Sequence, residues 1–330
     1  MTDQTPPATP LDRLAAALAP EMARVDALIR ERMASEAAPR IPEVTAHLID
    51  AGGKRVRPLL TVAAAKLCGH GGDDPVKLAA TVEFIHTATL LHDDVVDESK
   101  QRRGRPTANL LWDNQSSVLV GDYLFARAFQ LMVEPGSLKV LSILAGAAAT
   151  IAEGEVLQLT AARNLATDEA TYLRVVRGKT AALFRAAAEV GGVVAGAPGP
   201  QVEALAAYGD ALGVSFQMLD DWLDYGGAGA GIGKNLGDDF REGKLTLPVI
   251  RAVARADDAE RAFWREAIER GRGDFARAQE IVARHGTLEE TRLEALAWRD
   301  RAQRALEDVP PHPMRDMLHD LAGYVVARAR

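Results

Sequence analysis

The 330-residue sequence contains a single cysteine, Cys68. One cysteine excludes an intramolecular disulfide and a zinc site built from thiolates alone, so we expect a reducing, cytoplasmic compartment. Aromatic residues make up only 5% of the chain, whereas alanine contributes roughly 60 residues. Because alanine favours helices and aromatic residues favour strands, this composition predicts an all-α fold.

The sequence also lacks an excess of basic residues. Its 39 Lys and Arg against 46 Asp and Glu give a net charge of −7, so no cationic surplus is available for nucleic acid. The first ten residues have neither the basic nor the apolar region of a signal peptide. The longest apolar run, residues 140–152, contains Ser142 and Thr150 and is too short to cross a bilayer. We therefore expect no nucleic-acid partner and no transmembrane segment.

No shift in composition and no Ser/Pro-rich linker divides the chain. We expect a disordered tail over residues 1–10 and one helical domain over residues 11–330. Residues 225–243 contain seven glycines, so no regular helix is expected there. Apolar spacing predicts the main helices over residues 11–33, 58–67, 74–94, 110–132, 137–160, 168–195 and 201–224.

Two matched aspartate clusters are the most informative feature of the sequence. Each reads D-D-x-x-D and each ends an apolar helical stretch. Carboxylates this close repel one another and oppose the dipole at a helix C-terminus, unless a divalent cation with oxygen ligands compensates them. Two solvated acidic helix ends are the alternative, which suits one cluster better than a matched pair. The predicted Mg²⁺ ligands are Asp93, Asp94, Asp97, Asp220, Asp221 and Asp224.

The sequence contains no motif for binding calcium, zinc or a nucleotide. It contains neither an EF-hand loop nor a zinc-binding spacing such as H-E-x-x-H. The glycine-rich residues 226–234 do not match a phosphate-binding loop, because Asn235 follows Lys234 where Ser or Thr is required.

Basic residues lie close to the clusters along the chain. Lys54, Arg55 and Arg57 follow two glycines and precede a helix, an arrangement that can bind an anion through backbone amides and side chains. Each basic group alone is more often a solvated surface. In an acidic chain, their grouping around the aspartates instead predicts a substrate rich in phosphate, such as two diphosphates. The remaining groups are Arg102 to Arg105, Arg177 to Lys179, Lys234 and Lys244.

Together these motifs resemble the trans-isoprenyl diphosphate synthases of the polyprenyl synthetase family. The similarity runs from about Ile41 to the C-terminus. It implies a single-domain helical bundle around a central active-site cavity, usually assembled as a homodimer. It also implies a transferase of isoprenoid biosynthesis that joins isopentenyl diphosphate to an allylic diphosphate. The matching segments are GGKRVRP (52–58), HTATLLHDDVVDESKQRRGRPTAN (86–109), GKTAALF (178–184), FQMLDDWLDY (216–225) and GKNLGDDFREGKLTLP (233–248).

The resemblance also assigns roles by motif. It implies that the six aspartates hold Mg²⁺, about three ions in each substrate-bound active site. Trp222 is larger than the expected aliphatic residue, but it faces away from Asp220 and Asp224 and is predicted to pack in the core. The residues implied for isopentenyl diphosphate are Lys54, Arg57, His86 and Arg103. Those implied for the allylic diphosphate or its surroundings are Arg102, Lys179, Thr180, Gln217, Lys234 and Lys244, with Lys179 and Lys234 also counted as catalytic.

Product length depends on the helix that carries the first cluster. Thr89 lies one turn below Asp93 with Ala88 beside it, and short-chain members of the family carry an aromatic floor there. Both residues are small here, and Ile85 follows further down the helix. The motif context is most similar to synthases of octaprenyl to decaprenyl diphosphate for ubiquinone side chains. Residues 225–243 are interpreted as a lid, with a purely structural connector as the alternative.

Three other functions stay open at this point. A farnesyl or geranylgeranyl diphosphate synthase would share every motif except the small residues at the pocket floor. A non-catalytic subunit of a heteromeric synthase would usually have lost aspartates, and all six are present. A class I terpene cyclase would lack both the second D-D-x-x-D motif and the GGKRVRP segment.

Overall fold

The computed structural model of the chain describes residues 8–50, 52–102, 104–226 and 236–327. The predicted all-α fold is confirmed, since the only strands in the described part are Gln101–Arg102 (β1) and Arg105–Pro106 (β2), which form an antiparallel pair. Two short π-helices are Arg177–Ala181 (π1) and Arg265–Glu269 (π2). The α-helices are α1 Pro10–Ala17, α2 Ala19–Met33, α3 Arg40–Asp50, α4 Val56–Leu67, α5 Asp74–Val96, α6 Ala108–Leu111, α7 Asn114–Val133, α8 Leu138–Ala161, α9 Glu169–Val176, α10 Ala182–Val194, α11 Gly199–Asp224, α12 Asp238–Glu242, α13 Leu247–Arg255, α14 Asp258–Trp264, α15 Phe275–Arg284, α16 Thr287–Ala305 and α17 Pro313–Ala327.

Helix α5 lies at the centre of the bundle. Its apolar residues are distributed around the whole helix, and Val82, Phe84, Ile85 and Ala88 are all buried. A helix that is apolar on every face belongs in the interior. It packs against α4, α7 and α10, while α10 also packs against α4, α8 and α11. Helix α10 therefore joins the two helices that carry the aspartate clusters.

Small side chains allow these helices to approach closely. A Cβ atom on Gly213 of α11 would lie 2.6 Å from the Cα atom of Ala181 in π1, a distance that real Cβ atoms do not adopt. Interhelical distance depends on the side chains at the contact, so glycine brings the backbones of α11 and π1 together. This contact places the second aspartate cluster beside π1.

The first predicted helix is divided into two in the structure. The segment predicted over residues 11–33 is interrupted at Leu18, and its first helix begins at Pro10. Thr9 caps that helix, with its Oγ1 accepting a hydrogen bond from the backbone N–H of Asp12 at 3.2 Å. Residues 9 and 10 therefore belong to the folded domain rather than to the predicted tail, and residues 1–7 lie outside the described part.

The expectation that residues 225–243 contain no regular helix is wrong for their last part, where α12 forms. Gly237 and Gly243 adopt positive φ angles of 79° and 75° and bound this helix at its two ends. Its first amides are satisfied by Asp224, which offsets the intrinsic preference of the glycines for turns. Residues 227–235 of the predicted lid lie outside the described part.

Helix α8 forms where a helix was predicted, over residues 137–160, but it is longer than the apolar run on which the exclusion of a membrane span was based. The run over residues 140–152 lies inside a 24-residue helix, which by length and composition alone is apolar enough to cross a membrane. Core helices of soluble proteins meet the same criterion. Val140, Leu144 and Ile151 are buried on one side of α8, while Val156 and Leu159 on another side are exposed.

Candidate active site

The two aspartate clusters lie at the C-terminal ends of α5 and α11. Asp97 is the C-cap of α5, and Asp224 is the last residue of α11. Side chains from π1 contact residues of both helices, as described below. The fold therefore brings together two clusters that are far apart in the sequence.

Two lysines from distant segments face the first cluster. The Nζ atom of Lys179 lies 3.7 Å from Oδ2 of Asp93, and Nζ of Lys244 lies 3.2 Å from Oδ2 of Asp97. Burial raises the pKa of Asp93; Lys179 opposes this shift and the charge of Asp97 adds to it. Burial opposes the charged form of Lys244, but Asp97 and Glu242 raise its pKa above the ordinary range.

The middle residue of the first cluster points elsewhere. Asp94 is fully buried, and Arg102 donates to its Oδ1 through Nε at 3.0 Å and Nη2 at 2.8 Å. Burial raises the pKa of Asp94, although Arg102 partly counteracts the shift. Asn109 donates to the backbone carbonyl of Asp94 at 3.3 Å. Asp94 thus fixes Arg102 and the β1–β2 hairpin to the end of α5.

The middle residue of the second cluster is also occupied by protein donors. The hydroxyl of Tyr172 donates to Oδ2 of Asp221 at 2.6 Å, and Nε2 of Gln217 donates to Oδ1 at 2.8 Å. Burial raises the pKa of Asp221 to about 7 in spite of these two hydrogen bonds. Both carboxylate oxygens therefore accept hydrogen bonds from side chains of α9 and α11.

Asp224 has a structural task as well. Its Oδ1 and Oδ2 accept hydrogen bonds from the backbone N–H groups of Asp238 and Asp239, each at 3.1 Å. These contacts fix the start of α12 to the end of α11. Helix α12 ends at Gly243, so this connection also places Lys244 opposite Asp97.

The π-helix π1 connects the two clusters through consecutive residues. Lys179 points to the first cluster, and its Nζ donates to Oε2 of Glu155 at 2.8 Å. Thr180 points to α11, where its hydroxyl donates to Oε1 of Gln217 at 2.8 Å, and Gln217 in turn donates to Asp221 of the second cluster. π-Helical turns are frequent at functional sites, and this one directs two neighbouring side chains to different helices.

A second group of basic residues lies between α4 and α5. The Nη1 atom of Arg57 lies 3.1 Å from Nε2 of His86. The guanidinium of Arg57 stacks on Phe184, with its Cζ atom 4.5 Å from the ring centre. Lys54 lies in the loop that precedes α4. A neighbouring cavity is lined by residues of α3, α5 and the hairpin, including His86 and Arg102, and by Arg55 and Thr107, which precede α4 and α6. The structure thus brings Arg57 and His86 together, as the motif match predicts.

The other predicted residues are placed as follows. Trp222 packs with Leu219 and Leu288 away from the clusters, in agreement with its predicted packing role. Ile85 and Ala88 are fully buried on α5. Thr89 is half-buried, and its hydroxyl donates to the carbonyl of His86 at 2.8 Å. Arg103 and Lys234 lie outside the described residues.

Three polar residues at the site were missed by sequence reasoning: Glu155, Tyr172 and Asp239. Burial raises the pKa of Glu155, and burial followed by the charge of Asp221 raises that of Asp239. Asp239 lies inside the matched segment GKNLGDDFREGKLTLP, so the motif could have identified it. The two glutamates within the otherwise apolar α8, Glu153 and Glu155, were a signal for Glu155, whereas Tyr172 carries none.

The donors at this site suit a hard divalent cation. Asp93 and Asp97 are oxygen donors whose charge is partly compensated by two lysines. Across residues 8–50, 52–102, 104–226 and 236–327, no three His, Cys, Asp or Glu side chains converge closely enough to hold one ion. Mg²⁺ typically takes one or two carboxylates and completes its shell with water and substrate phosphate, so this sparse donor set fits it.

Comparison with known proteins gives consistent matches over nearly the whole chain. The family model "Polyprenyl synthetase" matches residues 38–284. The chain is 44% identical to octaprenyl diphosphate synthase of Escherichia coli (strain K12), covering 97% of this chain and 99% of that protein. Its fold is similar to the crystal structure of a decaprenyl diphosphate synthase from Rhodobacter capsulatus, with 69% identity, a TM-score of 0.95 and coverage of 97% and 99%. A polyprenyl synthase from Caulobacter crescentus CB15, complexed with calcium and isoprenyl diphosphate, is 51% identical with a TM-score of 0.92 and coverage of 99% and 100%.

Proposed function

The chain belongs to the polyprenyl synthetase family, and from this premise we propose that it joins isopentenyl diphosphate to an allylic diphosphate, head to tail and in the trans configuration. The product is a long-chain polyprenyl diphosphate of octaprenyl to decaprenyl length, in keeping with the relatives from E. coli and R. capsulatus. One observation carries the proposal: π1 places Lys179 beside Asp93 of the first cluster, while the next residue, Thr180, donates to Gln217, which itself donates to Asp221 of the second.

Mg²⁺ is the proposed metal, with Asp93, Asp97 and Asp220 as the residues that would hold it. Bound Mg²⁺ supplies Lewis acidity toward the leaving diphosphate. Asp94, Asp221 and Asp224 were also predicted as ligands; their oxygens accept hydrogen bonds from Arg102, from Tyr172 and Gln217, and from backbone amides, respectively. We propose that these three carboxylates orient the site, and the number of three ions stays a prediction.

The cationic side chains act on the two diphosphates. Lys179 and Lys244 face the first cluster, where their preorganised charge would stabilise the negative charge that develops on the leaving group. Arg57 on α4 and His86, two helical turns before Asp93 on α5, would orient the diphosphate of isopentenyl diphosphate. The two groups of cationic residues would therefore bind two different substrates, the allylic diphosphate and isopentenyl diphosphate.

A product assay tests the function directly. Purified protein is incubated with Mg²⁺, isopentenyl diphosphate and an allylic primer, and the dephosphorylated products are separated by reverse-phase chromatography. Octaprenyl to decaprenyl products are expected. Farnesyl or geranylgeranyl products would contradict the long chain length, a cyclic hydrocarbon would indicate a terpene cyclase, and no product would favour a non-catalytic subunit.

Replacing Arg57 with glutamine is expected to raise the KM for isopentenyl diphosphate about 10- to 100-fold, because a hydrogen bond to a charged group is lost. The KM for the allylic primer should change little. Steady-state kinetics with each substrate varied in turn measures both values. Arg261→Gln, on the exposed side of α14, is the control. An equal rise for both substrates would contradict the assignment of Arg57, and Lys54→Gln provides a second test of the same group.

A homodimer is proposed from the exposed apolar surface of α6, α7 and α8. A large apolar patch is rare on a soluble monomer and typically marks an interface, and twofold dimers are the commonest oligomers. Val156 is 62% exposed and Leu138 is 82% exposed in the isolated chain. We therefore propose a second copy of the chain as the partner. The large exposed apolar residues on these helices are Leu110, Leu111, Val118, Leu119, Phe129, Val133, Leu138, Val156 and Leu159.

Replacing both Leu119 and Val156 with aspartate is expected to convert the dimer to a monomer, because the interface would bury two unpaired charges. Light scattering coupled to size exclusion measures the mass at micromolar concentration. Leu293→Asp, at an exposed position of α16 outside this surface, should leave the dimer intact. A monomeric wild type that sediments with phospholipid vesicles would show that the apolar surface binds a membrane instead.

The cellular setting is part of the same proposal. The single cysteine is consistent with a reducing, cytoplasmic compartment. The long-chain product would serve as a precursor of ubiquinone side chains.

A further inference from the structure

We propose that Glu155 is a positioning residue for Lys179, holding the lysine ammonium group where it meets the leaving diphosphate. The inference rests on the proposed function and adds a residue from α8, which none of the matched motifs includes.

The contacts of Lys179 favour Glu155 over the aspartates. The Nζ atom lies 2.8 Å from Oε2 of Glu155 but 3.7 Å from Oδ2 of Asp93. The shorter contact is a charge-assisted hydrogen bond, while the longer one is an ion pair without hydrogen-bond geometry. Glu155 therefore determines where the ammonium group lies, and Asp93 keeps its carboxylate available for another cation.

The contact of Glu155 with Lys179 uses only one of its two carboxylate oxygens. The second oxygen, Oε1, is buried and has no hydrogen-bond partner. A buried polar atom without a partner is destabilising, and such atoms are rare in folded proteins unless they have a task. Packing alone would favour an apolar residue at this point of α8, so the carboxylate is accounted for by the lysine that it holds.

The backbones of α8 and π1 fix the register of the pair. A Cβ atom on Gly154 would lie 2.6 Å from the backbone nitrogen of Lys179 and 3.0 Å from the Cα atom of Gly178. The two helices therefore touch backbone to backbone at the residues that immediately precede Glu155 and Lys179. This contact leaves little freedom to either side chain and is typical of a preorganised site.

The consequence of losing the carboxylate follows from the distances. Without the charge of Glu155, the lysine would pair with Asp93, the next carboxylate in reach. Lys179 would then compete with a divalent cation for Asp93 and would be displaced from the diphosphate. Isopentenyl diphosphate, held by Arg57 and His86, would be unaffected.

The test compares Glu155→Gln with Glu153→Gln. Glu153 lies on the same helix, is exposed and lines a groove on another side of α8, which makes it a matched control. Glu155→Gln should raise the KM of the allylic diphosphate and the calorimetric Kd of inorganic diphosphate with Mg²⁺ about tenfold. The KM of isopentenyl diphosphate and the melting temperature should stay close to wild type, and Glu153→Gln should change neither.

A double variant separates positioning from other roles. If Glu155 acts through Lys179, Glu155→Gln combined with Lys179→Gln should weaken binding no more than Lys179→Gln alone. Additive losses would overturn the proposal in favour of direct contact with the metal or substrate. If Glu155→Gln does not fold, Glu155→Asp, which keeps the charge on a shorter side chain, should show a smaller loss in the same binding assay; wild-type affinity for this variant would overturn the proposal.

The two hypotheses fail in different ways. A wild type that makes no polyprenyl product, yet binds magnesium diphosphate in a manner that depends on Glu155, would overturn the function and retain the positioning role. An active wild type whose Glu155→Gln variant behaves like Glu153→Gln would overturn the positioning role alone.

Discussion

Replacing Asp93 with alanine is expected to lower turnover by about three to four orders of magnitude while the protein stays folded. Metal assistance to a leaving phosphate contributes several kcal/mol, and each 1.36 kcal/mol corresponds to about tenfold in rate. Asp93 is partly exposed, and burial and Asp97 both raise its pKa, so its removal relieves repulsion and should not reduce stability. Asp220→Ala should have an effect of similar size from the other cluster. Steady-state turnover at saturating substrates measures the loss, and circular dichroism checks the fold.

The same experiment includes its own controls. Asp258→Ala, on the exposed surface of α14, should retain wild-type turnover. EDTA should abolish prenyl transfer by the wild type, and added Mg²⁺ should restore it. Turnover of Asp93→Ala within a few fold of wild type would contradict the assignment of this cluster as the metal site.

The features that sequence analysis predicted correctly depend on local information. Apolar spacing located the principal helices, because one buried face is enough to give a helical period. The predicted packing role of Trp222 is also found, since its side chain packs with Leu219 and Leu288. The sequence motif grouped Arg57 with His86, and these side chains are in contact in the structure.

Features that depend on tertiary packing could not be predicted in the same way. The extra residue in π1 leaves no mark in the apolar pattern, yet it directs Lys179 and Thr180 to different helices. The hydrogen bond from Tyr172 to Asp221 joins residues 49 positions apart, and no spacing rule connects them. Helix α12 forms among glycines because the Asp224 carboxylate accepts hydrogen bonds from the first backbone N–H groups of this helix. This is a contact between two elements, so residue propensities alone do not predict it.

The aspartates of a D-D-x-x-D motif have different partners in the structure. The first residue of the first cluster faces a lysine, whereas the middle residue of each cluster accepts hydrogen bonds from other side chains. A buried carboxylate that is fully hydrogen-bonded orients its neighbours, and removing its partner leaves an unsatisfied charge. The three positions therefore differ in the contacts that the fold gives them.

Replacing Ala88 with phenylalanine is expected to shorten the product from octaprenyl or longer to farnesyl or geranylgeranyl diphosphate. Ala88 is fully buried on α5, slightly more than one helical turn before Asp93, and one turn spans about 5.4 Å, similar to one isoprene unit. A ring at this position would obstruct a tail growing along α5 and leave the diphosphate sites unchanged. Early condensations should therefore keep ordinary rates, which reverse-phase chromatography of the dephosphorylated products will show together with their length.

The competing interpretation is that Ala88 only packs against α7, the neighbour of α5. An added ring would then overpack the core, which typically costs about 1–3 kcal/mol, without changing the product. Ala302→Phe, at a fully buried alanine of α16, is the matched control, since it should lower the melting temperature but leave chain length unchanged. If Ala88→Phe behaves like this control, the tail does not pass Ala88, and Thr89 and Ile85 become the next positions to test. A shortened product with a nearly unchanged melting temperature would instead require that the ring occupies space otherwise used by the growing chain.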